Sequence, residues 1–176
     1  IPLAACGIVM KTNAILLAVI IGISQGSQPI IGFNYGAKQY DRVRSTYKLA
    51  ITCNLIVSAI GFVLFQFFPY QIISLFGTGN AAYYEFSIRF MRTFLFMVII
   101  NGVTLLSSNF FAAIGKPVKG LLLSMTRQVF FLIPLVLILP LFFGLDGILY
   151  SGPVADSIAF IVSILFISKE LKKMKH

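Results

Sequence analysis

The stretch that decides the fold runs from Ser24 to Tyr47 and reads SQGSQPIIGFNYGAKQYDRVRSTY. An apolar run precedes it, and Pro29 and the nearby glycines interrupt a helix that is otherwise long enough to cross a bilayer. Cations then outnumber the single anion, Asp41; they are Lys38, Arg42, Arg44 and Lys48. An apolar segment that breaks and then exits into a basic loop is typical of a transporter helix leaving the membrane on its cytoplasmic side.

The composition predicts an integral membrane protein. Of the 176 residues, 59% are hydrophobic and only 11% are charged, and the mean hydropathy is +0.96. So few charges do not cover a water-facing surface. The net charge of +9 lies in short clusters between apolar runs, which indicates loops facing anionic lipid rather than a nucleic-acid partner. Cys6 and Cys53 lie in or beside apolar runs and His176 is the one histidine, so we expect no disulfide framework and no thiolate or imidazole metal site.

Five apolar segments predict an all-α protein with five transmembrane helices. The expected spans are residues 4–33, 49–68, 84–113, 121–143 and 148–167, followed by a basic tail at 169–176. Between the second and third spans, residues 70–76 suit a segment lying flat at the membrane interface. The first residue is Ile1 rather than Met, which predicts a piece of a longer protein.

The distribution of lysine and arginine predicts the orientation. Three connectors expected on one side carry most of the cations: Lys38, Arg42, Arg44 and Lys48; Lys116 and Lys119; and Lys169, Lys172, Lys173 and Lys175. Basic connectors face the cytoplasm. The sequence therefore predicts a cytoplasmic C-terminus and a start outside, which implies further helices upstream.

Ionisable residues inside the spans are the first candidates for function, because each costs at least about 2.5–3.5 kcal/mol at the bilayer centre. Helix counting places Lys11, Arg92 and Asp156 at a similar depth in the outer half, about 10–12 Å below the surface. We therefore expect Asp156 to lie within salt-bridge or water-bridged reach of Lys11, Arg92 or both. Arg127 enters from the opposite side and is excluded from this cluster, and we expect it and Arg89 to extend to an interface.

Polar residues without charge supply further candidates. Asn101 and Asn109, with the serines between them, form a stripe deep in the third span that either hydrogen-bonds between helices or lines a water-filled cavity. Pro29 frees the carbonyl of Gln25, which makes either a simple kink or a hinge beside a cavity. No nucleophile–base pair, phosphate loop or metal-ligand spacing supports an enzyme.

Two motifs resemble a known family. They are Gln25-Gly-Ser-Gln-Pro29 with Asn34-Tyr-Gly-Ala37 and the following Arg-Val-Arg, and Phe111-Ala-Ala-Ile-Gly-Lys-Pro117. With the order of five spans, they resemble the C-terminal half of bacterial multidrug and toxic compound extrusion (MATE) transporters.

The resemblance implies a twelve-helix antiporter of two lobes, with this chain as the C-terminal lobe lacking its first helix. It implies a bacterial plasma-membrane protein that exports amphipathic or cationic drugs in exchange for H⁺ or Na⁺, with no other cofactor. The implied partners are the N-terminal lobe, the lipid bilayer and the substrates. The candidates for the transport cavity are Lys11, Gln25, Gln28, Pro29, Arg92, Asn101, Asn109 and Asp156.

One departure from the family bears on coupling. The third span offers Asn101 and Asn109 and no carboxylate after Glu85, whereas members that couple to Na⁺ through this lobe use an acidic residue there. The resemblance therefore favours a coupling carboxylate in the other lobe.

Two alternatives remain open at this stage. A lipid-linked oligosaccharide flippase has a related architecture and needs cavity-facing cations for a pyrophosphate, for which Lys11, Arg92 and Arg127 are available. The other alternative is an inactive truncated remnant, which the nucleotides upstream of Ile1 would distinguish.

Overall fold

The computed structural model describes residues 2–174, and the described residues form a helical bundle. The helices are α1 (Pro2–Gly36), α2 (Tyr40–Phe67), α3 (Pro69–Phe76), α4 (Ala81–Phe94), α5 (Val98–Ala113), α6 (Pro117–Met125), α7 (Ile133–Phe143) and α8 (Leu145–Lys173). A π-helical segment, Thr126–Leu132, joins α6 to α7. Ile1 and the tail residues Lys175 and His176 lie outside the described residues.

Long apolar helices confirm the predicted all-α membrane fold. Four helical stretches are long and apolar enough to cross a bilayer, namely α1, α2, the run from α6 through α7, and α8; the bent α4–α5 pair makes up to five. The helices extend beyond the expected spans. α8 in particular continues to Lys173, so most of the predicted basic tail is helical.

The third span, expected as one apolar segment at 84–113, consists of two helices joined by a bend. α4 and α5 meet at 47° across residues 95–97. At the break, Val98 donates its N–H to the carbonyl of Leu95, three residues back, at 3.2 Å. No proline or glycine marks this site in the sequence. Instead Gly152 of α8 packs against Phe94, where a Cβ would come within 2.9 Å of the ring. The bend is therefore a property of helix packing at this point.

The π-helical segment has a local cause in Pro134. In an α-helix the N–H of residue 134 would bond to the carbonyl of Phe130, but proline has no N–H and its ring clashes with that carbonyl. The chain winds wider just before this point, and Ile133 donates to the carbonyl of Gln128, five residues back. Such segments are rare and are often found at functional sites.

Two apolar clusters hold the helices together at opposite ends of the bundle. The first cluster includes Ile31, Tyr47, Phe110, Phe111, Leu123 and Ile167. The second cluster includes Val9, Phe65, Phe90, Met91, Phe94 and Leu149. The short helix α3 adds Ile73 to the second cluster. Because lipid is as apolar as these side chains, close packing rather than water exclusion is what favours their association.

Candidate functional site: a polar layer inside the bundle

A polar layer separates the two apolar clusters. Along α1, α2, α5 and α8, most buried polar residues lie between the residues that join the first cluster and those that join the second; Asn34, Ser107 and Glu170 lie among or beyond the residues of the first cluster. The layer includes Ser24, Asn54, Ser58, Asn101, Thr104, Ser151, Asp156 and Ser163, each at most 5% exposed. Buried polar groups inside a membrane are costly and mark transport pathways or structural pairs. This layer is therefore the candidate functional region.

One part of the layer fixes the crossing of three helices. Asn54 of α2 donates to the hydroxyl of Ser24 at 3.2 Å and, more weakly, to the carbonyl of Gly102 at 3.5 Å. A Cβ at Gly102 would lie 3.3 Å from the hydroxyl oxygen of Ser58. Small residues let α1, α2 and α5 approach closely, and the hydrogen bonds that the Asn54 amide donates to the other two helices set their register. We interpret this part as structural.

The asparagine stripe of α5 is divided between two roles. Asn109 accepts a hydrogen bond from Gln28 of α1 at 3.1 Å, so two of the predicted cavity residues bind each other. Beside them Ser107 pairs with the hydroxyl of Tyr47 at 3.1 Å and donates to the carbonyl of Val103. Asn101, about two turns earlier on α5, lines a cavity instead.

An ion pair crosses the polar layer between the π-helical segment and α8. The Nε of Arg127 donates to Oδ1 of Asp156. The carboxylate side chain is 5% exposed and the guanidinium side chain is 20% exposed. The second contact of Arg127 is a long one, 3.4 Å from Nη1 to Oε1 of Gln128. Most of the hydrogen-bonding capacity of this guanidinium is therefore free of protein partners among residues 2–174.

This pair corrects a prediction. The sequence argument placed Asp156 with Lys11 or Arg92 and excluded Arg127, but both of those residues are exposed, and the ion pairs found between residues 2–174 include neither. The excluded residue is the partner. Arg127 lies ten residues beyond Pro117, about 15 Å into the membrane, and a long guanidinium side chain closes the remaining gap to α8. The depth argument failed because it assumed that a residue on a helix entering from the cytoplasmic side does not reach the depth of Asp156.

A cavity of about 260 Å³ opens beside this pair. Its lining comes from α5, α6 and the π-helical segment: Asn101, Thr104, Leu105, Ser124, Arg127 and Gln128. All but Leu105 carry a polar side chain. No hydrogen bond found within residues 2–174 engages the side chains of Asn101 and Thr104, so they are available to a ligand or to water. The cavity therefore joins hydrogen-bonding groups to a guanidinium at membrane depth.

The remaining predicted candidates lie elsewhere. Gln25 and Pro29 are exposed on α1, which continues as one helix through the proline. Arg89, expected at an interface, pairs with Asp146 at 2.8 Å where both side chains are partly exposed. The structure thus brings Asn101 and Asp156 to the cavity region, joins Gln28 to Asn109, and leaves Lys11, Gln25, Pro29 and Arg92 on the surface.

A second buried carboxylate was missed by the sequence analysis. Glu170 of α8 is 3% exposed and binds Lys119 at 3.0 Å as well as Lys116. The hydrogen bond from Lys116 to Glu170 raises the pKa of that lysine. The three residues tie the α5–α6 connector to the end of α8. The signal for this pairing was present, since Glu170 is the one anion within a run of lysines.

No group of three or more metal-ligating side chains was found within residues 2–174. The polar layer itself contains amides, hydroxyls and one carboxylate that is already paired. Its donors suit organic oxygen atoms better than a bare cation.

Comparison with known proteins identifies relatives along nearly the whole chain. The MatE family model matches residues 1–138. Multidrug export protein MepA of Staphylococcus saprophyticus is 22% identical over 94% of this chain and 36% of that protein. The FAD transporter of Shewanella oneidensis is 23% identical over 87% of this chain and 34% of that protein. The solved structure of the MATE multidrug transporter DinF-BH has a TM-score of 0.86 and 35% identity over 93% of this chain and 36% of that chain.

The coverage figures show that the chain spans about 36% of the length of the relatives it matches. Their names are those of transporters and not of enzymes, as the sequence predicted. The family model alone covers well over half of the residues. The resemblance inferred from the two motifs is thereby confirmed, and the chain belongs to the MatE family.

Proposed function

We propose that this chain forms one lobe of a two-lobe secondary exporter. The full transporter would move amphipathic or cationic organic molecules out of a bacterial cell across the plasma membrane, with H⁺ or Na⁺ influx as the driving force and the C-terminus in the cytoplasm. The observation that carries the proposal is the polar cavity beside Arg127 and Asp156 in a MatE-family bundle. Substrate sites of secondary transporters lie at this depth, where repeats meet.

The size of the cavity supports a second lobe. Drug-sized ligands occupy pockets of about 300–1,000 Å³, whereas this cavity measures about 260 Å³. A cavity of this size suits one end of such a ligand, and the proposed second lobe would contact the rest. The relatives are about three times as long as the matched region, which leaves ample chain for that second wall.

The state of Asp156 favours coupling in the other lobe. A carboxylate that binds Na⁺ needs free oxygen ligands around the ion, whereas Asp156 is buried and held by Arg127. A Na⁺ ion at this point would also face the guanidinium charge. The coupling carboxylate of the full transporter is therefore proposed to lie outside this chain.

A transport assay tests the proposal. The full-length gene is expressed in a bacterium that lacks its own drug exporters, and ethidium efflux is followed by fluorescence. We expect energised efflux that stops when the coupling gradient is collapsed, with separate collapse of the H⁺ and Na⁺ gradients identifying the ion. Efflux equal to that of the empty vector would refute the proposal and favour the alternative that the chain belongs to an inactive truncated remnant.

The flippase alternative has less support. It requires uncompensated cations around a pyrophosphate, but the charge of Arg127 is offset by Asp156, and Lys11 and Arg92 do not join it at the cavity. Transport of a lipid-linked oligosaccharide in the absence of drug efflux would restore this alternative.

A further inference from the structure

We infer that Arg127 binds the carboxylate of zwitterionic substrates and so sets which charge types this transporter accepts. The inference rests on the proposed export function and adds a substrate class to it. It starts from the unused donors of the guanidinium. Nε is engaged by Asp156, and Nη1 makes only the 3.4 Å contact with Gln128.

The fork of the guanidinium matches the two oxygens of a carboxylate. Arginine presents five N–H donors in one plane, and two parallel hydrogen bonds to a carboxylate are its preferred geometry. The neighbouring lining adds neutral hydrogen-bonding groups from Asn101 and Thr104. The cavity therefore offers an oxygen-rich group several donors at once.

The charge balance selects a zwitterion over a simple anion. Asp156 already neutralises Arg127, so a bound carboxylate brings this region to a net charge of minus one. An uncompensated charge is costly in a low-dielectric site. A substrate that carries its own cation cancels that charge, whereas a purely anionic substrate does not. The volume of about 260 Å³ suits the carboxyl-bearing end of such a molecule rather than the whole of it.

Two dyes that differ by one ester group test the inference. Rhodamine 110 is a zwitterion with a free carboxylate, and rhodamine 123 is its methyl ester with only the cation. Binding of each dye to the purified full-length transporter is measured by fluorescence anisotropy, and efflux of each is measured in cells.

The variants are chosen to keep the bundle folded. Arg127→Lys keeps the positive charge next to Asp156 but removes the planar fork. Gln128→Glu, at an exposed position, adds a carboxylate beside Nη1 that competes with the substrate. Gln128→Met is the matched control, because it removes the same amide without adding charge. Thermal unfolding of each variant verifies that the protein is folded.

We expect Arg127→Lys and Gln128→Glu to weaken rhodamine 110 binding by about tenfold or more, since hydrogen bonds to charged groups contribute strongly to affinity. Rhodamine 123 binding should change by less than about threefold, and Gln128→Met should affect both dyes similarly. Equal weakening of the two dyes, or unchanged rhodamine 110 binding in both variants, would overturn the inference while rhodamine 123 efflux still supported the export function. Failure of the unmodified transporter to bind rhodamine 110 would overturn the inference, while the ethidium assay would still decide the export function.

Discussion

Breaking the Arg127–Asp156 pair from its two sides should have unequal effects on stability. Replacing Arg127 with Gln leaves a carboxylate that is 5% exposed and has lost its partner. Stranding one member of a buried pair costs about 3–5 kcal/mol. Replacing Asp156 with Asn leaves a guanidinium that is 20% exposed and lines a cavity able to hold water. Hydration reduces that cost, and we expect about 1–3 kcal/mol.

The double variant distinguishes coupling from two separate losses. In Arg127→Gln with Asp156→Asn, no charge remains to be buried, and the two amides are able to bond to each other. We expect the double variant to lose less stability than the sum of the single losses, by at least about 1 kcal/mol. The assay is thermal unfolding of the detergent-purified full-length transporter, followed by size-exclusion chromatography after heating, with membrane abundance measured in parallel.

Two results would contradict this reasoning. Additive losses would show that the pair contributes no coupling energy, and a larger loss for Asp156→Asn than for Arg127→Gln would show that hydration by the cavity is unimportant. Abundance also separates the roles of Asp156. We expect Asp156→Asn to lower the amount of folded transporter more than it changes drug selectivity; normal abundance with an altered range of drugs would place its transport role first.

Three further outcomes are expected. Gly120→Ala should cost about 1–3 kcal/mol of stability, because the new Cβ would lie 2.5 Å from a backbone oxygen of α5. In the control Gly26→Ala the new Cβ meets nothing within 4 Å, so we expect a neutral or slightly stabilising effect in the same unfolding assay. Equal losses in the two variants would count against the close α5–α6 contact. Glu170→Gln should lower stability by about 1–2 kcal/mol, less than the loss of a fully buried pair because the two lysines are about a third exposed. Despite the opposing effect of burial, hydrogen bonds from the lysines lower the pKa of Glu170, and that from Lys116 raises the pKa of the lysine, so the contribution is fully present between about pH 4.5 and 10.5 and is lost as pH rises through the raised pKa of Lys116; a loss independent of alkaline pH would contradict this. In a background without native cysteines, a cysteine at Thr78 should react with an impermeant thiol reagent in intact cells and one at Gln39 should not, and the reverse labelling would invert the topology.

The overall fold was predictable because membrane insertion leaves a strong record in the sequence. Apolar runs of about 20 residues and the scarcity of charge within them suffice to predict the long helices. Pro69 likewise begins the short helix α3, which covers the segment at 70–76; the position of that segment at the membrane interface stays a prediction. These features depend on local composition, which a single sequence contains in full.

The features that the sequence did not predict depend on contacts between distant segments. The bend at residues 95–97 has no local breaker, and its neighbour is Gly152 of α8. The pairing of Asp156 depends on how far Arg127 extends along the bundle, which counting residues from the surface does not measure. Glu170 was overlooked because a carboxylate among lysines is typical of a solvated tail, whereas in the structure α8 continues through this segment.

Unsatisfied polar atoms in the polar layer bear on the proposed transport role. The apolar clusters at both ends hold α1, α2, α5 and α8, while Oδ1 of Asn54 and the hydroxyl of Ser58 in the layer between them have no hydrogen-bond partner among residues 2–174. The amide nitrogen of Asn54 does bond to Ser24 and Gly102, so only the replacement of Ser58 by alanine removes an unsatisfied group without breaking a hydrogen bond, and we expect it to be neutral or stabilising. Water or substrate that reached this level during the proposed transport would satisfy both atoms.

Two irregular segments interrupt the helices of the bundle. The π-helical segment next to Pro134 contributes Arg127 and Gln128 to the polar cavity, whereas the bend beside Gly152 lies within the second apolar cluster, which includes Phe94 and Leu95. Irregular backbone at membrane depth is tolerated where it lines a cavity or is buried in protein. We therefore expect motion of this lobe during the proposed export to concentrate at the π-helical segment, with the apolar clusters moving as rigid ends. Hydrogen exchange on the full-length transporter, with and without a transported dye, should show dye-dependent protection at residues 126–132 and little change in the two clusters; equal protection of the π-helical segment and the clusters would contradict the idea.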